Sequence, residues 1–295
     1  MPQAKRRVTL FHNRSAGEGD HDEQELTHLI AAAGYEVAYF DAKRYDIPRV
    51  LDRPTDLVVV AGGDGTIRRV ALAARPEGPP LAILPLGTAN NIAHSLGITA
   101  STHALIDGWR HQTIGRFYPI EAETPWGRQR LIEGIGLGVL ADLIEDDQDK
   151  DSTPLDARRR AAELVDAAEP ESFELRVDDA LVTEPAILLE VTTIPLVGPN
   201  LLLAPGANPG DQFIEVCRVP ATGRRAFAQW LEAPKKDAPA PLSLTTAGYV
   251  AISGRFDRIR VDDAVRTVNR RNTVTIALAA AAQPLHVVLP EQASG

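Results

Sequence analysis

Leu57-Val58-Val59-Val60 runs almost directly into Gly62-Gly63-Asp64-Gly65-Thr66, and this junction constrains the chain more than any other segment. A run that is apolar on both faces suits a buried parallel strand. The glycines that follow allow dihedral angles and a close backbone approach that a Cβ would forbid. A helix is expected from about Ile67 to Ala74, so backbone N–H groups near its start offer an anion site. Asp64 cannot be there to attract phosphate, because its charge repels one. The roles left to it are holding Mg²⁺, directly or through water, and orienting a hydroxyl.

The pattern then repeats. The strand-like run Leu81–Leu84 leads to Pro85-Leu86-Gly87-Thr88-Ala89-Asn90-Asn91, with a helix expected from about Asn91 to Leu96. Upstream, Val8 to His12 is β-prone and ends in the polar turn Asn13 to Gly19. Helical spacing over residues 23–33 stops at Gly34, and Tyr35 to Phe40 alternates like a strand. This alternation over about the first 115 residues predicts an α/β layer fold with a parallel sheet. Ligands of such sheets bind outside the carboxyl ends of the strands, so both loops, with Asn13 to Gly17, could converge on one cleft. Neither the Walker pattern nor G-x-G-x-x-G is present.

The character changes near Phe117. Strand-like runs follow at Gln129–Glu133, Phe173–Val177, Ala186–Thr193, Phe213–Val219, Arg258–Val261, Thr273–Leu278 and Leu285–Leu289. Short strands punctuated by Gly, Pro and Asp predict an antiparallel β-sandwich as second domain. The charged segment Asp142 to Pro170 interrupts them. Its acidic stretch Glu145 to Asp151 is expected to be exposed, and Leu155 to Ala168 to be helical. Ala233 to Pro241 reads as a surface connection.

A formal net charge of −9 argues against a non-specific nucleic-acid binder, which needs a basic surface to displace counterions. Cys217 is the only cysteine, so no intrachain disulfide or cysteine zinc site can form, and a reducing, cytoplasmic setting is the simplest expectation. Met1 to Arg7 is basic but lacks the apolar stretch of a signal peptide. No segment approaches the ~20 apolar residues that span a bilayer. The seven histidines show no metal-ligand spacing, and Ser15 lies in no G-x-S-x-G elbow. Arg158-Arg159-Arg160 reads as a solvated charge run, with anionic headgroups as the alternative partner. Trp109, Trp126 and Trp230 divide between core packing and a membrane-facing surface.

On these residues the chain resembles the diacylglycerol kinase catalytic-domain superfamily, which includes bacterial diacylglycerol kinase-like lipid kinases and the sphingosine and ceramide kinases. Val58 to Val70 is similar to its Gly-Gly-Asp-Gly-Thr signature, Pro85 to Ala93 to its Pro-x-Gly-Thr-x-Asn signature, and Asn13 to Gly17 to its opening Asn-Pro-x-Ser-Gly. Val191 to Pro195, Leu203 to Asp211 and Pro284 to Pro290 extend the match along nearly the whole chain. The resemblance implies a Rossmann-like α/β nucleotide-binding domain over residues 1–118, completed by 281–295, and a β-sandwich lipid-substrate domain over 119–280, with the nucleotide cleft between them. It implies transfer of the ATP γ-phosphoryl group to a lipid hydroxyl with Mg²⁺, by a protein that visits the membrane surface and is compatible with homo-oligomers. Asp64 would act through Mg²⁺ and the phosphates, with Gly63, Gly65 and Thr66 beside it. Asn13, Ser15, Gly87, Thr88 and Asn90 would line the nucleotide, Asp211 would hold a structural metal, and Asp262 would be the general base.

Four motifs depart from the family pattern. Asp-Gly-Glu reads Asp262-Asp263-Ala264, the aspartate usual after the second loop's asparagine is Asn91, Asp-Gly reads Asp211-Gln212, and isoleucine–aspartate reads Ile120-Glu121. They keep open a nucleotide-binding relative with weak or no kinase activity; a soluble-substrate kinase of the NAD kinase type, which shares the first glycine–aspartate loop, is the other alternative, against which Pro85 to Asn90 and Leu203 to Asp211 argue.

Overall fold

The computed structural model describes residues 5–17, 21–111, 113–146, 153–232 and 238–290. The expectations for Met1 to Ala4, for Glu18 and Gly19 of the first turn, for 147–151 of the acidic stretch and for 233–237 of the surface connection lie outside the described residues. Two compact units are present: Met1–Phe117 with Gln283–Gly295, and Tyr118–Ala282.

The first unit runs β1 (Arg7–His12), α1 (Glu23–Ala32), β2 (Glu36–Asp41), α2 (Ile47–Leu51), β3 (Leu57–Gly62), α3 (Asp64–Ala73), β4 (Leu81–Pro85), α4 (Asn91–Ser95), α5 (Thr102–Gly108) and β5 (Thr113–Phe117). Local chemistry sets the boundaries. The Asp22 carboxylate accepts the Glu25 N–H and caps α1, whose Leu26 and Ile30 are buried one turn apart. Asp46 caps α2 in the same way, with proline in its first turn. Every residue of β3 is buried, as its double-sided apolar run predicts. The helix after the first loop begins at Asp64, three residues before the expected Ile67. Gly63 is its extended N-cap, so Asp64, Gly65 and Thr66 are its first turn rather than loop.

The second unit runs β6 (Ile120–Thr124), β7 (Gly127–Leu131), β8 (Gly134–Gly138), α6 (Val139–Asp146), α7 (Pro154–Ala167), β9 (Phe173–Val177), β10 (Ala180–Val182), β11 (Ala186–Thr192), β12 (Leu196–Val197), β13 (Leu201–Leu202), β14 (Ile214–Pro220), α8 (Arg224–Glu232), β15 (Ser243–Ala247), β16 (Tyr249–Gly254), β17 (Arg258–Val261), β18 (Ala264–Thr267) and β19 (Val274–Ala280). β20 (Leu285–Leu289) then joins the sheet of the first unit, parallel to β4 and antiparallel to β5. That sheet has the order β2-β1-β3-β4-β20-β5.

Two six-stranded antiparallel sheets, β10-β9-β16-β19-β6-β7 and β15-β14-β11-β8-β17-β18, form the second unit's sandwich. Alternating residues such as Phe173, Leu175 and Val177 on one sheet meet Leu189, Val191 and Ile259 on the other. The outer face of the second sheet is covered as well. α7 and α8 set Ala161, Val165, Phe227 and Leu231 against Leu188, Cys217 and Val219, so β11 is buried throughout. α7 covers nearly the expected helical segment, and its Thr153–Asp156 capping box and first-turn proline explain its start. Arg158 lies over the Trp230 ring at 5.2 Å, so this member of the arginine run is packed rather than merely solvated. Trp109 is buried edge-on against Tyr35, a core residue.

Candidate functional site

The carboxyl ends of the first unit's strands finish level. His12 pairs with Asp41 on one side and Ala61 on the other, and Gly62 pairs with Pro85. The register continues into the loops, where Asn13 N–H donates to the Ala61 carbonyl at 2.9 Å and Leu86 N–H to the Gly62 carbonyl at 3.1 Å. The two glycine loops therefore touch. A Cβ built on Gly87 would lie 2.5 Å from the Cα of Gly63. The first turn joins the same contact: Gly17 has φ +67, and a Cβ there would meet the Leu86 carbonyl oxygen at 2.8 Å. Asn13, Ser15, Gly63, Asp64, Gly65, Thr66, Gly87, Thr88 and Asn90 are thus assembled along one edge of one sheet.

Asp64 clasps the two loops. One carboxylate oxygen accepts the Asn91 N–H at 3.0 Å and the other the Ile92 N–H at 2.9 Å. These are first-turn amides of α4, so the carboxylate of one loop caps the helix of the next. Burial raises the Asp64 carboxyl above the ordinary aspartate range, while the Ile92 and Asn91 amides and the charges of His94 and Arg68 oppose it. Asn90 closes the second loop on itself. It takes a left-handed backbone at φ 51, accepts the Gly87 N–H at 2.9 Å and donates to the Gly87 carbonyl at 2.6 Å. The Thr66 side chain lies over Gly62, where a Cβ would come within 2.8 Å of it. Thr88 is exposed.

In the first turn, the Asn13 carboxamide oxygen accepts from the Ser15 N–H at 3.3 Å and the Ser15 hydroxyl at 3.0 Å. The Ser15 hydroxyl in turn accepts from the Lys43 ammonium. Sequence reasoning passed over Lys43, whose only signal was a cation just beyond the carboxyl end of a strand neighbouring β1. A recess of about 460 Å³ opens beside these loops, with Ala16, Gly17, Leu86, Thr88 and Ser101 among its walls.

Asp211 and Asp262 belong to the second unit. Asp211 is half-buried, and its carboxylate accepts the Phe213 N–H at 3.0 Å. Asp262 is buried at φ 53, and one carboxylate oxygen accepts the N–H groups of Ile132, Glu133 and Gly134 at 3.1, 2.9 and 3.2 Å. Beside it, Arg260 forms a buried ion pair with Glu190 at 2.6 Å and donates to the Asp262 carbonyl. Gly136 lies between them in the ladder, paired with Glu190 on β11 and Arg260 on β17. Its missing side chain is what lets the pair meet across it, since a Cβ there would come within 2.0 Å of the Glu190 carboxylate.

Among the described residues, no group of three or more His, Cys, Asp or Glu side chains is arranged to hold a metal ion. A single carboxylate beside a phosphate-type edge still fits Mg²⁺, which is usually held by one or two carboxylates together with substrate phosphates and water. Asp64 would be that carboxylate, since each of its oxygens retains acceptor capacity beyond its one amide.

Residues 7–117 match the model of the diacylglycerol kinase catalytic domain. The diacylglycerol kinase of Bacillus subtilis (strain 168) is 30% identical over 174 residues, 56% of this chain and 55% of the relative. A probable lipid kinase YegS-like protein of Pectobacterium atrosepticum is 37% identical over 109 residues, 34% of this chain and 36% of the relative. The chain thus spans between about a third and just over half the length of these curated relatives. Among solved structures, a diacylglycerol kinase from Bacillus anthracis str. Sterne superposes with a TM-score of 0.64 at 18% identity, covering 96% of this chain and 97% of that one. A second structure from that strain reaches 0.72 at 17% identity over 98% of both chains. At such identities the likeness is one of fold, and it extends to both the parallel α/β unit and the antiparallel sandwich.

Proposed function

Residues 7–117 of this chain belong to the diacylglycerol kinase catalytic domain family, and on that premise we propose that the protein is an ATP-dependent lipid kinase. The observation that carries the reading is the glycine-to-glycine contact of the Gly63 and Gly87 loops, clasped by Asp64 at the carboxyl edge of the sheet. Bare backbone on both loops admits phosphate oxygens to the amides of the first turn of α3. Asn13, Ser15, Thr66, Thr88 and Asn90 fix and line the loops around the nucleotide. Asp64 would hold Mg²⁺ against the phosphates, and the ion would neutralise charge developing between the β- and γ-phosphoryl oxygens. Asp262 takes the proton of the acceptor hydroxyl in this reading. Phosphoryl transfer passes through a loose transition state, so positioning and charge stabilisation do most of the work. The acceptor is a lipid hydroxyl met at a membrane surface; among the described residues no helix is long and apolar enough to cross a membrane.

A second reading, nucleotide binding with weak turnover, is favoured by the three amides on Asp262. They occupy the carboxylate oxygen that would otherwise face an acceptor hydroxyl. One experiment separates the two. The purified chain is offered labelled ATP, Mg²⁺ and a panel of lipid alcohols in mixed micelles, with ATP binding followed by calorimetry. Transfer that Asp64→Asn abolishes supports the kinase. Binding without transfer supports the second reading, and no binding removes both.

A further inference from the structure

Lys43 follows β2, the strand beside β1 in the sheet, so it emerges on the same edge as the three loops. Its direction is set by the backbone. The Lys43 N–H donates to the Asp41 carboxylate at 2.9 Å, a tight turn that ends the strand and sends the side chain back over the β1 loop. There its ammonium donates to the Ser15 hydroxyl, which donates to the Asn13 carboxamide oxygen. Neighbouring cations are already engaged: Arg14 pairs with Glu23 at 3.8 Å and Arg44 with Asp41 at 3.5 Å. Lys43 is exposed, and among the described residues no carboxylate lies within ion-pair distance of it. The glycine loops themselves present neutral backbone and the carboxylate of Asp64 to a polyanion, so this ammonium brings them charge that they lack.

We propose that Lys43 is a phosphate-binding residue of the nucleotide site, parked on the Ser15 hydroxyl when no nucleotide is bound and turning to the polyphosphate when one is. The proposal rests on the nucleotide-site reading above. A lysine suits the task because a compact ammonium on a flexible stem can leave a neutral hydroxyl for an anionic oxygen at little cost.

The test is calorimetric titration of the 295-residue chain and of its Lys43→Met and Lys43→Arg variants with Mg-ATP, Mg-ADP and adenosine, at low and high salt. Lys43→Met should weaken ATP about tenfold, leave adenosine unchanged and reduce the salt dependence of ATP binding. Lys43→Arg should recover most of the loss. Melting curves superimposable with wild type confirm that the exposed substitution leaves the fold intact. Equal ATP affinity and salt dependence in Lys43→Met and wild type would overturn the role of Lys43 while leaving the nucleotide site standing. A loss that extends equally to adenosine would also overturn it, because the lysine would then be shaping the loop rather than meeting phosphate. A wild-type chain that binds no ATP would remove the nucleotide reading and this inference with it.

Discussion

Gly63 and Gly87 meet backbone to backbone, with a Cβ on Gly87 placed 2.5 Å from the Cα of Gly63 and 2.9 Å from the Asn90 carboxamide oxygen. The nearer neighbour is backbone, and the Asn90 carboxamide is held by its hydrogen bonds to Gly87, so an added methyl must push the loops apart. Gly87→Ala is expected to cost about 1–3 kcal/mol, as overpacked sites do, and to weaken ATP binding through the displaced loop. Gly206→Ala, where nothing lies within 4 Å, is the matched control and should stay within about 0.5 kcal/mol of wild type. Denaturant unfolding of the pair, with nucleotide titration, checks both parts.

Asp64 titrates against the fold. Burial holds its carboxyl above the ordinary 3.8, with the Ile92 and Asn91 amides opposing. The folded protein therefore keeps this proton more tightly than the unfolded chain does. Across the window that opens at 3.8 and closes at the raised value, stability falls as pH rises, and above that value the full cost is present. Asp64→Asn removes that titration, at an offset of about 1 kcal/mol for the amide left without its acceptor. The variant should gain on wild type as pH rises through the window, and the difference should level off above it. Urea unfolding followed from acid to neutral pH would show a flat difference if Asp64 titrates normally.

Much of this edge was legible in the sequence because glycine announces it. Gly62-Gly63 and Gly87 after apolar runs place the loops without knowledge of the rest of the chain. The clasp was not legible. Asp64 binds the backbone of Asn91 and Ile92, and a main-chain partner leaves no mark in residue identity. For the same reason α3 was read as starting late, its glycine-rich first turn being taken for loop. In the second unit β8 is among the missed strands, because its Gly134, Gly136 and Gly138 carry no strand propensity. The reason for Gly136 lies on neighbouring strands, where Glu190 and Arg260 need bare backbone between them, while Gly134 and Gly138 take positive φ and press against the Val191 and Ile187 carbonyls. β15 and β16 were missed too, because their exposed or half-exposed positions dilute the apolar alternation. α6, on which Glu145 lies, was hidden within a segment read by its charge.

The Glu190–Arg260 pair should behave as a buried ion pair does, costly to halve and cheap to replace. Arg260→Met leaves Glu190 fully buried without its guanidinium and is expected to cost about 3–5 kcal/mol. Adding Glu190→Leu should restore most of that loss, because two apolar side chains of similar reach need no partner. Equilibrium unfolding of both single variants and the double variant completes the cycle. Additive losses would mean that the two side chains are stabilised independently of each other.

Asp262 combines a proposed chemical role with a visible structural one, and two substitutions separate them. Its carboxylate gathers the amides of Ile132, Glu133 and Gly134, and its backbone sits at φ 53. Asp262→Ala strands those donors in a buried place and should cost about 2–4 kcal/mol, given about 1–3 kcal/mol for each group left unsatisfied and partial relaxation among neighbours. Asp262→Asn keeps an acceptor oxygen and a side chain that tolerates the left-handed backbone, so stability should stay within about 1 kcal/mol of wild type. It removes the anion that could accept a proton. If Asp262 takes the acceptor's proton, phosphoryl transfer by the Asn variant should fall by about a hundredfold or more at unchanged ATP affinity. Transfer at the wild-type rate by a folded Asn variant would confine Asp262 to holding the turn between β7 and β8, and the acceptor hydroxyl would then lose its proton to solvent or to an oxygen of the transferred phosphoryl group.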